Sequence, residues 1–262
     1  MRPWLQQCLV VVLLILGWNN IILAEEADKL ATVKKLVVRV GYDATYIINS
    51  PLRMDSGSVK KLLLFSGISY GLMAVDDRLN RELTKIEYEK IGKYIEPLGV
   101  THREFYLTMG TLYLSGLASK NSKLKKTSML LSEAVLFNGS LTRFFKDIFG
   151  RPRPFQQVGE RNWDDFYPFS GYDAFPSGHT STAFTLTTVI SHQYPSRWVK
   201  VTGYTIASLV GLQRLNSDVH GIADVFAGAV LGIWVGNTVC SLDKAWEKGD
   251  IQISSQGLRI RF

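Results

Sequence analysis

The chain has 262 residues, 46% of them apolar and 20% charged, with a mean hydropathy of +0.06. That is enough for one large domain, with no compositional break between two cores, and it is more apolar than many soluble proteins yet low for a chain made mostly of membrane spans, which leaves the membrane question open. The formal charge of +7 is carried by basic residues interspersed with acidic ones and lacks a basic-aromatic motif, so no nucleic-acid partner is expected. The two cysteines, Cys8 and Cys240, exclude a disulfide framework and CxxC metal spacing.

Residues 1–24 place Arg2 ahead of an apolar stretch from Cys8 to Trp18, with Ala24 before Glu25 and Glu26. This is the grammar of a signal peptide; Ile22 at the −3 position leaves an uncleaved N-terminal anchor as the alternative. Both place the domain outside the cytoplasm. Residues 25–60 read as an N-terminal extension with a short helix or two and turns at Asn49–Pro51 and Asp55–Gly57. An apolar run from Leu62 to Val75 stops at Asp76 and Asp77, and the spacing of Leu79, Leu83, Ile86, Ile91, Tyr94 and Ile95 predicts an amphipathic surface helix.

Thr101 and Glu104 form a capping box for a helix running to Ala118, with His102 an ordinary surface histidine in its first turn. After the polar break Asn121–Lys126, a helix is predicted from about Ser128 to Phe149, with Gly150 as its C-cap and Pro152 and Pro154 beyond. Residues 155–175 form an aromatic loop, read equally well as self-packed or as a lid or acyl-chain contact. Helices follow over about 177–192, 198–215 and 219–242. The last carries Gly228, Gly232 and Gly236 at four-residue intervals, suited to close helix packing. Alternation over 251–253 and 258–262 predicts a C-terminal β-hairpin. The domain reading is thus 1–24 signal peptide or anchor, 25–60 extension, 61–242 catalytic helical domain and 243–262 tail.

Three clusters carry chemistry: Lys146 with Arg153 and Pro154, then Pro176–His179, then Arg214 with His220 and Asp224. Each alone is weak evidence, since Pro-Ser-Gly is a common turn and a His-x3-Asp pair is usually structural. Together, each at a predicted helix end, they supply what phosphate-ester hydrolysis needs. Lys146, Arg153 and Arg214 can neutralise phosphate oxygens. Ser177 and Gly178 fall at a helix start behind Pro176, where backbone N–H groups face an anion. His220 and Asp224, four apart on a predicted helix, share a face, so the carboxylate can orient the imidazole as a nucleophile. His179 remains as the general acid.

On these residues the chain resembles the type-2 phosphatidic acid phosphatase and vanadium haloperoxidase superfamily, whose signature is Lys-x6-Arg-Pro, Pro-Ser-Gly-His and Ser-Arg-x5-His-x3-Asp. The first two match fully. The third matches at Arg214, His220 and Asp224, but Gln213 stands where the family usually has Ser. Over roughly residues 100–240 the resemblance implies an all-α helical bundle in a bacterial exported member. It also implies a phosphohistidine on His220, leaving-group protonation by His179, and phosphate binding by Lys146, Arg153, Ser177, Gly178 and Arg214, with no required metal or cofactor and vanadate as an inhibitor.

The expected activity is hydrolysis of phosphate monoesters or diphosphates of envelope lipids by an enzyme of the periplasmic face. With the clusters at one end of the helices, the other end carries Lys60, Lys61, the 120–126 loop, Arg197, Lys200, Lys244 and Lys248, the asymmetry of a positive-inside membrane protein. The apolar runs at 62–75, 105–118 and 201–212 are shorter than a span of roughly 20 residues, so a broad-specificity periplasmic acid phosphatase acting on small phosphomonoesters is the alternative. A haloperoxidase with vanadate as cofactor ranks below both because such chains are usually longer, and a purely structural envelope protein ranks last.

Overall fold

The computed structural model describes residues 26–76, 78, 82, 102–156, 166–254 and 257–260. The segment 1–24, most of the amphipathic helix expected over 79–95, the Thr101 cap and the middle of the aromatic loop lie outside the described residues. Seven α-helices and one two-stranded sheet are described: α1 (Glu26–Ile48), α2 (Ser56–Met73), α3 (His102–Ala118), α4 (Ser122–Phe149), α5 (Gly178–Gln193), α6 (Arg197–Asn216), α7 (Ile222–Lys248), β1 (Ile251–Ser254) and β2 (Gly257–Ile260). The expected all-α bundle with a C-terminal hairpin is what forms. The strands pair antiparallel, with Ile251 opposite Ile260.

Where composition shows one core, the chain divides into two compact units: Met1–Arg53 with Ser241–Phe262, and Met54–Cys240. In the first, α1 is one 23-residue helix rather than the short pieces expected. It carries a buried polar network that bulk composition does not register: Trp246 Nε1 donates to Asp43 Oδ1 (3.0 Å) and Arg39 Nη2 to Asp243 Oδ1 (3.0 Å). Tyr42 packs edge-on to Trp246.

The second unit is built on α2 to α6 and most of α7. Two helices begin earlier than their apolar periodicity suggests, because short polar side chains cap them: Asp55 Oδ1 accepts from Ser58 N–H (2.8 Å) and Asn121 Oδ1 from Leu124 N–H (3.0 Å). The lysines after Asn121 therefore lie in the first turns of α4 rather than in a loop. Neighbouring helices α3 and α4, α4 and α5, and α5 and α6 pack against one another. Lys123 Nζ sits 4.4 Å from the Tyr194 ring centroid, which brings the start of α4 beside the end of α5.

The glycine ladder of α7 packs against α5 as its spacing predicts. A Cβ at Gly228 would stand 2.5 Å from Ser177 O, at Gly232 2.2 Å from Ser181 O, and at Gly236 2.8 Å from Thr188 Cβ. Because the obstacle at Gly232 is backbone, Gly232→Ala must push two helices apart; it is expected to lower stability by about 1–3 kcal/mol, read as a drop in denaturation midpoint. The chain places the start of α5, with its catalytic candidates, against the start of α7 through this contact.

Helix α2 is unusual in burying a single residue, Ser69. Leu62, Leu63, Leu64 and Ile68 are all exposed, as are Trp198, Val201, Ile206, Leu209 and Leu212 on α6. Among the described residues, α7 is the helix long and apolar enough to cross a membrane by length and composition, with half of its most apolar window buried in the protein.

Candidate active site

Helix α4 ends as predicted at Gly150, whose left-handed backbone (φ 56°, ψ 45°) returns its N–H to Lys146 O (2.8 Å). A Cβ there would stand 1.8 Å from Tyr167 O, so the close approach of the aromatic loop also requires glycine. That loop is tied down where it is described: Phe169 N–H donates to Asp147 O, Tyr167 N–H to Gly150 O and Ala174 N–H to Arg151 O. Phe166 and Phe175 each pack 5.0 Å from the Phe149 ring, which is self-packing, while Phe155 and Phe169 remain exposed.

The anchored loop brings in a residue that the sequence reading missed. Asp173 accepts from Arg153 Nε (2.9 Å) and Nη2 (3.1 Å), and Lys146 Nζ both donates to the Asp173 carbonyl and lies 3.7 Å from its Oδ2. Two of the three expected phosphate cations are thus gathered on one carboxylate. Burial pushes the Asp173 carboxyl up, but the Arg153 hydrogen bonds and the Lys146 charge outweigh it and hold it below the usual range.

At the start of α5, Ser177 is the N-cap and Gly178 the first helical residue. One expectation is corrected. The Ser177 N–H does not face an anion; it donates to Asp224 O (2.9 Å), and Ser177 Oγ accepts from Thr180 Oγ1 (3.0 Å). Ser177 is fully buried and ties α5 to α7. The outward-facing amides of the helix start begin at Gly178. A Cβ at Gly178 would lie 3.5 Å from Thr142 Cγ2 and 3.9 Å from Lys146 Cε, ordinary contact that the fold tolerates. Gly178→Ala is therefore expected to leave the melting temperature nearly unchanged while weakening inhibition by inorganic phosphate about tenfold, the cost of one strained charge-assisted hydrogen bond.

A second correction concerns His220. Helix α7 begins at Ile222, so His220 precedes it and does not share a helical face with Asp224. The two still meet, because Asp224 Oδ2 reaches back to the N–H of Gly221 (2.9 Å), as the third residue of a capping box does. His220 Nδ1 lies 3.4 Å from the same Oδ2, near but outside hydrogen-bond geometry. The other carboxylate oxygen accepts from Arg151 Nη1 (2.6 Å), and Arg151 Nη2 donates to Asp76 Oδ2 (2.8 Å). Arg151 and Asp76, both fully buried, also went unread: one stands inside the Arg-Pro-Arg run and the other looked like a helix stop. On α6, Gln213 Oε1 accepts from Arg214 Nε, and Gln213 Nε2 donates to Ser217 Oγ (2.9 Å). The residue that departs from the family pattern thus braces the third cation.

His179, in the first turn of α5, keeps part of its surface in solvent while its ring packs toward the other site residues. The packing around its imidazole, then the charges of Arg214, His220, Lys146 and Arg153, lower it to about 4. Burial lowers His220 as well, against the opposing pull of Asp224, and burial lowers Lys146 despite Asp173. Below their ordinary value of 6.5, both histidines bind fewer protons folded than unfolded. Stability is thus fully present above about pH 6.5 and declines as pH falls toward about 4. A melting temperature measured across that window should fall less steeply for His179→Asn.

Among the described residues, no group of three or more His, Cys, Asp and Glu side chains is placed to share a metal ion. The arrangement instead collects two neutral imidazoles, one carboxylate behind His220 and three cations whose charges converge on His179.

This helical architecture and the order of its three clusters are those of the PAP2 superfamily, which residues 127–247 match. That matched stretch, just under half of the chain, holds all three clusters. The chain is 34% identical over 132 residues to a lipid A 1-phosphatase of Porphyromonas gingivalis, covering 49% of this chain and 27% of the relative. It is 33% identical over 132 residues to a probable lipid phosphate phosphatase 4 of Arabidopsis thaliana, covering 39% and 42%. The matches thus span less than half the length of these curated relatives. Among solved structures it is similar to the first transmembrane PAP2 type phosphatidylglycerolphosphate phosphatase from Bacillus subtilis, with a TM-score of 0.51 and 19% identity over 71% of this chain and 95% of that one. At that identity the likeness concerns the fold.

Proposed function

We propose that the chain is a phosphatase that hydrolyses phosphate monoesters or diphosphates of envelope lipids without a metal, through a phosphohistidine on His220. The observation that carries this reading is the convergence at one place of His220 backed by Asp224, His179, and the charges of Lys146, Arg153 and Arg214. The names of the curated relatives support the lipid phosphatase part of it.

In this reading Lys146, Arg153, Arg214 and the Gly178 amide hold the phosphate oxygens. The Nε2 lone pair of His220, its Nδ1–H turned to Asp224, forms the N–P bond as the bond to the lipid oxygen breaks. His179 gives that oxygen its proton. Water then attacks the phosphohistidine, His179 takes a proton back, and inorganic phosphate leaves. The exposed apolar surfaces of α2 and α6 support contact with lipid, and the N-terminal grammar supports export to the periplasmic face.

Phosphate release in EDTA from phosphatidic acid in mixed micelles, set against a small soluble phosphomonoester, tests the proposal. It predicts turnover that survives chelation and prefers the lipid. Preference for the soluble ester would support a broad acid phosphatase instead. No release from either, nor from an isoprenyl diphosphate, would overturn the reading.

A further inference from the structure

We infer that Asp76 and Arg151 are positioning residues that hold Asp224, and through it His220, in register for the reaction. The inference rests on the proposed phosphatase reading. Its basis is a buried chain of contacts that ends on the nucleophile. Arg151 is fully buried and divides its guanidinium between two carboxylates, with Nη1 2.6 Å from Asp224 Oδ1 and Nη2 2.8 Å from Asp76 Oδ2.

Asp76 does more than balance that charge. Its Oδ1 accepts from Ala223 N–H (3.2 Å), in the first turn of α7. Its Oδ2 stands where a Cβ on Gly221 would come within 2.5 Å. Asp76 therefore braces the His220–Asp224 turn directly through backbone, and indirectly through Arg151. With Oδ1 of Asp224 occupied by Arg151, Oδ2 is left for Gly221 N–H and His220. The rotamer that orients the imidazole is thereby fixed from behind.

Stability alone is a poor reason for this arrangement. A buried ion set carries a large desolvation cost and is often no better for stability than apolar residues of the same volume. What it provides here is direction: Arg151, a permanent cation, holds Oδ1 of Asp224 and leaves Oδ2 facing His220, where positive charge develops as the N–P bond forms. Without the guanidinium, Asp76 and Asp224 would repel across the same turn.

The test compares wild type, His220→Ala, Asp76→Asn and Gly221→Ala as full-length chains, reading kcat, KM, inhibition by inorganic phosphate and melting temperature. Asp76→Asn keeps the side-chain shape, and Gly221→Ala disturbs the same contact from the other side. Both are expected to lower kcat about 10- to 100-fold, as loss of outer partners does at metal sites. KM and phosphate inhibition should stay within about threefold of wild type, since the phosphate cradle is untouched. An active wild type, an inactive His220→Ala, and a kcat per folded molecule close to wild type in both Asp76→Asn and Gly221→Ala would overturn the inference while leaving the phosphatase reading intact, even if their melting temperatures fall. A wild type that releases no phosphate would overturn both.

Discussion

His220→Ala is expected to reduce phosphate release by at least about 10⁴-fold, the scale seen when a covalent nucleophile is removed. The loss should appear in kcat and kcat/KM alike. His220 is buried and lies outside any helix, so truncation leaves a small cavity and keeps the Gly221 N–H bond to Asp224 that caps α7. Lys146, Arg153 and Arg214 also remain, so the variant should still bind inorganic phosphate. Measured on folded protein, retained phosphate binding with turnover lost would assign His220 to bond-making. Loss of both together would place it in the cradle instead.

The second large effect concerns His179. Its imidazole is lowered to about 4 and is therefore neutral near pH 7, the wrong state for a general acid. Packing is the largest cause of that lowering, and the neighbouring positive charges are the part that a ligand can offset. Three cations, Arg214, Lys146 and Arg153, help to depress it, and a bound phosphate dianion screens those same three charges. Binding should then raise His179 and draw in a proton. Calorimetry of phosphate binding in buffers of different ionisation enthalpy is expected to show proton uptake by wild type beyond that of the ligand, and to lose it in His179→Asn.

Catalysis offers the complementary reading. For an alkyl phosphate such as a lipid, His179→Asn should lower kcat about 10²–10⁴-fold, the usual contribution of a positioned acid. For p-nitrophenyl phosphate, whose leaving group needs little protonation, the loss should be much smaller. Equal losses on both substrates would mean that His179 binds phosphate rather than donating a proton.

The parts legible in sequence are those written locally. Gly150 ends α4 because a left-handed residue must stand there, and the four-residue glycine spacing reports the packing of α7 on α5. Local signals also mislead where a polar residue has two uses. Asp224 read as a helical partner of His220, whereas it caps the helix from its third position and meets a histidine outside it. Ser177 read as an amide donor to phosphate, whereas its N–H closes the junction with Asp224.

What lay beyond reach was long-range. Arg151 meets Asp76 and Asp224 across 75 and 73 residues, and no periodicity encodes that pairing. Nothing local distinguishes Asp76 from the adjacent Asp77. Asp173 could have been suspected, since a carboxylate three residues before Pro176 stands close in sequence to a site built of cations. The spacing gives no hint that it would take both Arg153 and Lys146.

The most direct test of the central claim is to trap the covalent intermediate. Full-length wild type is mixed with ³²P-labelled phosphatidic acid in EDTA, quenched in base within the first turnovers, and digested for peptide mapping. The account predicts an acid-labile, base-stable phosphoryl group on His220, absent from His220→Ala. Labelled phosphate released by wild type with no phosphoenzyme at any quench time, or a label on His179 instead, would contradict it.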